Sequence, residues 1–416
     1  MKLLSVRQSL ISRPLEDVAA EVKRQLDALA AVVPNGIEQE FGQVPQGPVA
    51  IPVGSRGMDQ IPTLVRAVGE WLRQRGAEPF MVPAMGSHNG ATAQGQQQMI
   101  ESLGMTEAAM GMPIRSSMEC VKLATVSSGD VWMDRHCYES DGVLVINRVK
   151  LHTCFSGPVQ SGLTKMMVVG MGKIQSAQTF HSCPTPQMKE MLLEMGQVIL
   201  DSGKILGGLA ILEDGFDRTA ELHGVAASEI LECEPKLLER HRTYFPSLPV
   251  DELDVLVVDE IGKTYSGTGM DTNVIGYRGV KGYEDLERPN IGIIAALSLA
   301  EVSQGNAIGV GLADFITRRL REAIDEHKTF LNVYTTGDMA RAKIPATLTD
   351  DQELVEKIVS RYGDQRWMFI PNTLHLGQLY ASLDLREELE AHPLCEVAPE
   401  PIELTFKSGQ QQLFAR

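Results

Sequence analysis

Three histidines and one lysine lie in segments where their side chains could perform chemistry. His88 lies in a Gly- and Ser-rich loop, and His152, Lys165 and His181 lie within one window that begins at Asn147. A neutral imidazole can act as a general base and then as a general acid, and it is also a common ligand of nickel, copper or zinc. A single such histidine is more often structural, but three with a lysine between two of them favour a functional site.

Lys165 lies in the apolar stretch 163–169, where burial would lower the pKa of its ammonium group and favour a nucleophile or covalent anchor. The alternative is a lysine that caps a helix or extends its charged end into solvent. Cys154 and Cys183 each lie two residues after a candidate histidine, so the site could be sensitive to thiol oxidation. The remaining histidines that lie among charged residues are predicted to be on the surface: His136, His223, His241, His327 and His392.

These side chains need a framework that brings them together. The apolar run 143–146 directly before the window predicts a buried strand, and a strand at 49–53, a helix at 61–75 and a strand at 79–83 form a βαβ unit. Its right-handed crossover implies a parallel sheet. Ligands bind at the carboxyl edge of such sheets, where the loops 54–57 and 84–92 lie. Their glycines and serines suit close approach to an anion, although ordinary turn chemistry would need the same residues.

The rest of the pattern predicts a helix at 15–33 that ends at Pro34-Asn35-Gly36, a long helix at 185–207, and surface helices and loops as far as Pro249. A second domain is predicted to contain strands at 254–258, 291–300 and 367–370, a Gly-rich turn at 305–311, a helix at 312–324 and a helix after His375. We therefore predict an α/β fold with two α/β domains of mostly parallel sheets, residues 1–253 and 254–395, and an active site in the cleft between them. The tail, residues 396–416, is predicted to pack back on the N-terminal domain.

Composition excludes several classes of function. The net charge of −16 disfavours a broad nucleic-acid or anionic-membrane surface, and 43% hydrophobic with 22% charged residues is typical of a globular protein. We predict a cytoplasmic protein, because no stretch of about 20 apolar residues and no signal sequence is present. Six cysteines without a C-x-x-C pair argue against zinc-ribbon, iron–sulfur and disulfide frameworks. Dinucleotide, Walker, H-E-x-x-H and G-x-S-x-G motifs are absent as well.

The motifs together resemble the nickel-dependent lactate racemase superfamily. The resemblance rests on the order of Gly-Ser-His88, Asn-Arg-Val-Lys-x-His152, Ser-Gly-Leu-Thr-Lys165 and a following His181, and it continues through Asp-Glu-Ile-Gly-Lys263. It implies a nickel-pincer nucleotide, which is a pyridinium mononucleotide with two sulfur-bearing arms. In that family a lysine tethers the cofactor and a histidine binds the nickel.

Carried over to this sequence, the resemblance assigns the tether to Lys165, the nickel ligand to His181 and the two acid/base groups to His88 and His152. Arg56 would face the cofactor phosphate and the substrate carboxylate. The cofactor-binding residues implied in addition are Ser55, Gly86 and Ser87. The implied activity is that of an isomerase, a racemase or epimerase that inverts C2 of a 2-hydroxy acid or sugar acid by transient hydride transfer to the cofactor. The implied partners are this substrate and the cofactor-synthesis enzymes, with a homodimer as a further expectation and no nucleic acid or membrane.

The sequence differs from the family pattern at specific positions. Val53 stands where the family has an aspartate, Thr164 stands where it has an arginine, and the stretch from His152 to Lys165 is longer. The substrate-binding lysine of the second domain has Arg278 and Lys281 as its nearest candidates, and Lys263 is a further one. We therefore predict a substrate other than lactate.

Two other functions are compatible with the same residues. A family member without racemase chemistry could bind an anionic metabolite or nucleotide in the interdomain cleft. A zinc-type hydrolase could use His88, His152 and His181 as ligands, although no carboxylate–histidine spacing supports it.

Overall fold

A computed structural model describes residues 1–31 and 44–414. The chain forms two compact units. The N-terminal unit is Ile11–Phe245, and the C-terminal unit combines Met1–Leu10 with Pro246–Arg416. The division therefore differs from the predicted one: the first ten residues belong to the C-terminal unit, and the boundary lies at 245 rather than 253.

In the described ranges the strands are β1 (Lys2–Gln8), β2 (Pro48–Val53), β3 (Glu78–Pro83), β4 (Cys120–Val126), β5 (Gly129–Asp134), β6 (Gly142–Arg148), β7 (Ile205–Glu213), β8 (Thr219–Ala226), β9 (Glu252–Ile261), β10 (Asn290–Leu299), β11 (Phe315–Thr317), β12 (Ala346–Leu348), β13 (Trp367–Ile370), β14 (Gln378–Ser382), β15 (Cys395–Val397), β16 (Ile402–Glu403), β17 (Phe406–Lys407) and β18 (Gln410–Gln411). The α-helices there are α1 (Val18–Ala31), α2 (Ile61–Gln74), α3 (Ala93–Ser102), α4 (Glu107–Met110), α5 (Arg135–Glu139), α6 (Leu163–Lys165), α7 (Lys173–Ser182), α8 (Met188–Asp201), α9 (Ile230–Arg242), α10 (Thr272–Ile275), α11 (Arg318–Ala323), α12 (Glu326–Thr336), α13 (Asp351–Tyr362) and α14 (Arg386–Ala391). Short 3₁₀ helices occupy Asn89–Ala91, Thr185–Gln187, Ala227–Glu229, Glu301–Ser303, Val310–Leu312, Met339–Ala342 and Leu383–Leu385, and Met166–Gly170 is a π-helical turn.

The N-terminal unit is built on one five-stranded sheet in the order β3-β2-β6-β7-β8. The strands are parallel except β8, which pairs with β7 in the antiparallel sense. Helix α2 buries Leu64, Val68 and Leu72 in the core of this unit, as its helical spacing of apolar residues predicts. The predicted βαβ unit is confirmed, and the predicted first helix corresponds to α1, although its predicted end at 34–36 lies outside the described residues.

The region before Pro249 differs from the prediction. The predicted helix at 185–207 ends as α8 at Asp201, because Gly203 reverses the chain with a left-handed φ of 68°. The following segment is the buried strand β7 rather than surface structure. Together, β7 and β8 complete the sheet that carries the candidate site.

The C-terminal unit has a sheet in the order β12-β11-β10-β9-β13-β14-β1-β15. Strands β9 to β13 are parallel to one another, whereas β14, β1 and β15 pair in the antiparallel sense. Strand β1 thus lies between β14 and β15, which explains why the first ten residues join this unit. The predicted helix at 312–324 is β11 followed by α11, and the segment predicted as a helix after His375 contains β14 before α14.

The tail belongs to the C-terminal unit and not to the N-terminal one. Strand β16 pairs with β1, and Gln411 donates a hydrogen bond of 2.6 Å from its side chain to Asp259. The backbone N–H of Gln411 also donates to Asp351 at 2.9 Å. These bonds to buried carboxylates hold the described part of the tail against α13 and β9. The predicted mixed α/β fold with mostly parallel sheets is confirmed, and among the described helices none has the length and apolar character needed to cross a membrane.

Candidate functional site

The candidate site lies at the carboxyl edge of the sheet in the N-terminal unit. The chain order places β3 on one side of β2 and β6 on the other, so a topological switch point falls between β2 and β6. In the described residues these two strands pair only at their amino ends, through Val49–Gly142 and Ala50–Val143. Their carboxyl halves are therefore not joined by a strand ladder. Loops that leave the carboxyl ends of these strands face the place where doubly wound sheets bind ligands.

The loop after β2 reaches the loop after β3. The Ser55 hydroxyl oxygen lies 2.5 Å from Nδ1 of His88. Arg56, the next residue, is exposed. Gly54 lies close to the Met166 side chain, because a Cβ built at Gly54 would be 3.4 Å from the Met166 methyl carbon. This loop therefore contacts both the His88 loop and the π-helical turn.

The loop that carries His88 needs its glycine at position 86. Gly86 has a left-handed φ of 62°, and a Cβ there would lie 3.2 Å from the Cβ of Ala177 on α7. Its N–H donates to the Gly170 carbonyl at 3.4 Å. Ser87 is exposed. The glycine thus lets the His88 loop approach the π-helical turn and α7 closely.

The loop after β6 places His152. Gln160 accepts a hydrogen bond of 2.7 Å from the His152 backbone N–H, and the ring of Phe155 lies 4.5 Å from the imidazole between centroids. The Cys154 backbone N–H donates to Nδ1 of His152 at 3.1 Å. Because a backbone N–H can only donate, Nδ1 accepts, and the neutral ring carries its proton on Nε2.

Lys165 ends α6 and immediately precedes the π-helical turn, a type of turn that often occurs at functional sites. Burial, with smaller contributions from the charges of Arg56 and Lys150, lowers the pKa of the Lys165 ammonium group to about 8, and the Cys154 thiol acts in the opposite direction. The nitrogen lies 5.7 Å from the centroid of the Phe180 ring. Lys165 is therefore an amine of raised nucleophilicity, as its apolar sequence setting predicts.

The segment that bears Lys165 is fixed by a buried carboxylate on α9. Glu234, only 1% exposed, accepts hydrogen bonds from the N–H of Thr164 at 2.9 Å and from its hydroxyl at 2.7 Å. Asn147 donates from its side chain to the Gly162 carbonyl at 2.7 Å. Burial raises the pKa of Glu234 to about 6, against the lowering effect of its bonds to Thr164.

His181 lies in the last turn of α7, next to Phe180. Burial lowers the pKa of His181, and the positive charges of Lys165 and His88 lower it further. His181 thus lies within electrostatic range of both Lys165 and His88, and its lowered pKa favours the neutral ring, which has a nitrogen lone pair. The charge of Arg56 acts on Lys165 in the same way, so electrostatic effects link Arg56 to Lys165 and link Lys165 and His88 to His181.

The candidates from the second predicted domain lie in the C-terminal unit. Lys263 and Lys281 are exposed. Arg278 is only 1% exposed, with its guanidinium carbon 5.7 Å from the Tyr283 ring centroid, and its carbonyl accepts two hydrogen bonds from Arg341. Arg278 is thus built into the interior of this unit.

The prediction that His241 lies on the surface is wrong. His241 is 8% exposed, and neither ring nitrogen has a hydrogen-bond partner among the described residues. Its neighbours Arg240 and Arg242 made it resemble a surface residue, but the buried residues of α9 form one helical face that includes His241: Ile230, Glu234, Leu237, Leu238 and His241. That spacing is the signal that would have found both His241 and Glu234.

In the part of the chain that the structure describes, no three His, Cys, Asp or Glu side chains are grouped so that they could hold a metal ion. His88, His152 and His181 are thus not grouped as the ligand set that a zinc-type hydrolase would need.

The fold is similar to that of a lactate racemase. No protein-family model matches the sequence, and no curated protein matches it. The structure is similar to the lactate racemase apoprotein from Thermoanaerobacterium thermosaccharolyticum, with a TM-score of 0.54, 14% identity, and coverage of 88% of this chain and 94% of that one. It also matches a Thermotoga maritima protein at a TM-score of 0.49 and 12% identity, over 88% of this chain and 98% of that one.

Proposed function

We propose that the protein is a racemase or epimerase that inverts C2 of a 2-hydroxy acid or sugar acid and uses a nickel-pincer nucleotide. The observation that carries this proposal is that His181 lies within electrostatic range of both Lys165 and His88 at the carboxyl edge of the sheet. An amine and a neutral imidazole in this arrangement suit a tethered nickel cofactor beside an acid/base group. The lactate racemase fold supports the same proposal.

The residues present fit the cofactor chemically. With a pKa of about 8, about a quarter of the Lys165 side chains are neutral amines at pH 7.5, whereas an ordinary lysine is almost wholly protonated there. The neutral His181 would supply a nitrogen donor of the kind that Ni(II) accepts in planar sites. When bound, the group would supply a reversible acceptor for the C2 hydride. Ser55, Gly86 and Ser87 would line its binding site.

The two histidines near the substrate have different hydrogen-bonding constraints. Proton uptake at Nδ1 of His152 would cost its hydrogen bond from the Cys154 N–H, so the neutral ring is set to donate a hydrogen bond, rather than a proton, from Nε2. The Ser55 hydroxyl can either donate to or accept from Nδ1 of His88, so both neutral tautomers of His88 keep that bond. We therefore assign removal of the hydroxyl proton to His88, which becomes an imidazolium and can return a proton to the substrate oxygen when the hydride returns. His152 would hold the substrate oxygen through a hydrogen bond from Nε2, and it could deliver a proton of its own only after Nδ1 is protonated and the bond from Cys154 is lost.

Arg56 is the residue that would hold the substrate carboxylate. It follows the carboxyl end of β2, its side chain is exposed, and its charge reaches Lys165. A guanidinium can bind a carboxylate through two parallel hydrogen bonds, which would keep the acid in place while C2 is planar.

The test is production of the protein together with the cofactor-synthesis enzymes, followed by intact mass, nickel content and chiral chromatography of a panel of 2-hydroxy acids. We expect a mass adduct that maps to Lys165, bound nickel, and interconversion of enantiomers. Lys165→Arg is the matched control, because it keeps the positive charge and removes the amine nucleophile. An adduct that persists in Lys165→Arg would refute the tether.

The alternative function is binding of an anionic metabolite or nucleotide without racemase chemistry. The cations Arg56, Lys150 and Lys165, gathered in a protein of net charge −16, favour it specifically. If the coproduced protein contains no nickel and racemises no acid, but isothermal titration detects binding of nucleotides or carboxylates that Arg56→Ala abolishes, this alternative replaces the first.

A further inference from the structure

Lys173 is a buried charge in a strained backbone position that the proposed reaction does not use. Its side chain is fully buried, and its φ of 52° lies in the left-handed region that a lysine rarely adopts. Such strain persists only where the surroundings determine the conformation, and it is concentrated at functional sites.

Each of the three ammonium protons of Lys173 has an acceptor. Nζ pairs with a carboxylate oxygen of Asp134 at 3.1 Å and donates to the amide oxygen of Gln96 at 3.4 Å. It also donates to the carbonyl of Pro83, the last residue of β3. Asp134 is itself fully buried, and its other oxygen accepts from the Cys137 N–H at 3.1 Å. Lys173 therefore joins the start of α7 to the end of β3 and to β5.

Gln96 links Lys173 to the loop that carries His88. Its side chain is fully buried, and its amide nitrogen donates to the Gly86 carbonyl at 2.8 Å and to the His88 carbonyl at 3.4 Å. An ammonium group can only donate, so the contact with Lys173 forces the amide oxygen of Gln96 toward it. The amide nitrogen must then face the loop.

The loop needs such support because its backbone is strained. Asn89, Gly90 and Ala91 follow His88 with successive φ values of 52°, 70° and 51°. Two of these residues have a Cβ, which makes a left-handed conformation unfavourable. Without fixed acceptor and donor partners, this segment would relax and move the His88 imidazole.

We propose that Asp134, Lys173 and Gln96 are positioning residues that fix the His88 loop. The buried ion pair sets the orientation of the Gln96 amide, and the amide holds the Gly86 and His88 carbonyls at a set position relative to α7. The part of this inference that concerns catalysis rests on the proposed function, whereas the part that concerns the loop does not.

The experiment is backbone amide hydrogen exchange of the cofactor-free protein, read at Gly86, His88 and Ala91 and at the core strand β6. Gln96→Met keeps the side-chain length and removes both hydrogen bonds to the loop. Because a hydrogen bond shifts a local equilibrium about fivefold, we expect exchange in the loop to accelerate by about 20-fold. Ser140→Ala is the control, since Ser140 is 2% exposed and bonds two carbonyls away from this loop.

A second variant tests the same link without leaving a buried charge unpaired. Lys173→Met combined with Asp134→Asn removes both charges and keeps an acceptor for the Cys137 N–H. Because Gln96 remains but its orientation is no longer set, we expect loop exchange to accelerate by about fivefold. Loop exchange that is unchanged in both variants, or that rises equally in Ser140→Ala, would overturn the proposal.

A kinetic measurement covers catalysis. In loaded enzyme that racemises a hydroxy acid, Gln96→Met should lower kcat by about 10- to 100-fold with a much smaller change in KM, because a displaced acid/base group impairs the transition state more than binding. An unchanged kcat would overturn the catalytic part. If the loaded wild-type protein shows no racemase activity, the proposed function is refuted. The proposal that these residues fix the His88 loop would still be tested, because the exchange measurement requires no turnover.

Discussion

His241 should make the N-terminal unit sensitive to acid. Burial, with the charges of Lys150, Arg148 and Arg242 in support, lowers the pKa of His241 to about 3 from its usual 6.5. Between pH 6.5 and about pH 3, His241 is protonated in the unfolded chain but stays neutral in the folded protein. The free energy of unfolding therefore falls as the pH falls through this range. At pH 5 the loss is RT ln(1 + 10^1.5), or about 2 kcal/mol relative to pH 8.

Glu234 partly offsets this loss of stability at low pH, because its folded-state pKa of about 6 lies above the usual 4.5. A raised carboxyl pKa means that the folded protein takes up a proton first, and stability rises by about 1.3 kcal/mol from pH 8 to pH 5. His241→Phe should isolate the histidine. The wild type should lose about 2 kcal/mol more than this variant on acidification.

Urea unfolding at pH 5, 6.5 and 8 provides the measurement. All variants carry Trp367→Phe, so that the tryptophan fluorescence comes only from Trp71 and Trp132 of the N-terminal unit. The control variant is His327→Gln, because His327 is exposed. If wild type and His241→Phe lose stability in parallel, within about 0.5 kcal/mol, the argument from a buried neutral imidazole is refuted.

Three further outcomes follow from the site. Glu234→Gln keeps an acceptor for Thr164 and removes a buried charge, so urea unfolding at pH 8 should show a gain of up to about 2 kcal/mol that disappears at pH 4; no gain at pH 8 would contradict the burial argument. Gly86→Ala should destabilise more than Gly203→Ala in thermal or urea unfolding, because both glycines have a left-handed φ but only position 86 has a close neighbour for the new methyl group; equal losses would refute the crowding. An amine-selective acylating reagent should modify Lys165 with a rate that is half-maximal near pH 8 by peptide mass spectrometry, and a midpoint above pH 10 would contradict its lowered pKa.

The βαβ unit could be predicted because its signals are local. The strand at 49–53, the helix at 61–75 and the strand at 79–83 each show their own period, and each matches an observed element to within a residue or so. Strand β7 could not be recognised in the same way, since it follows α8 after a short turn and continues the apolar run. Its position depends on a distant contact: a Cβ at Gly208 would lie 2.6 Å from the Leu163 side chain.

The candidate site divides along a similar line. His88, His152, Lys165 and His181 could be named as candidates because their residue types and neighbours indicate chemistry. Lys173 resembled any helical lysine, since nothing local distinguishes a surface lysine from one paired with Asp134 across the fold. Gln96 is a polar residue among other glutamines. Burial of polar groups is decided by tertiary packing, so supporting residues are harder to predict than the groups they support.

Thr164 shows how a difference from the lactate racemase pattern that the sequence resembles can be accommodated by its surroundings. The resemblance places an arginine at this position, but here the side chain is fully buried and bonded to Glu234. A Cβ at Gly196 of α8 would lie 2.8 Å from the Thr164 methyl group, and one at Gly162 would lie 2.2 Å from a Glu234 oxygen.

An arginine at position 164 would therefore need a larger space and a different counter-charge geometry, and a side chain at 162 or 196 would displace the threonine. These positions form one packed set around the residue that precedes Lys165. Thr164 and Glu234 consequently have to change together, and a replacement of Thr164 alone by Arg is expected to disrupt the segment that carries Lys165.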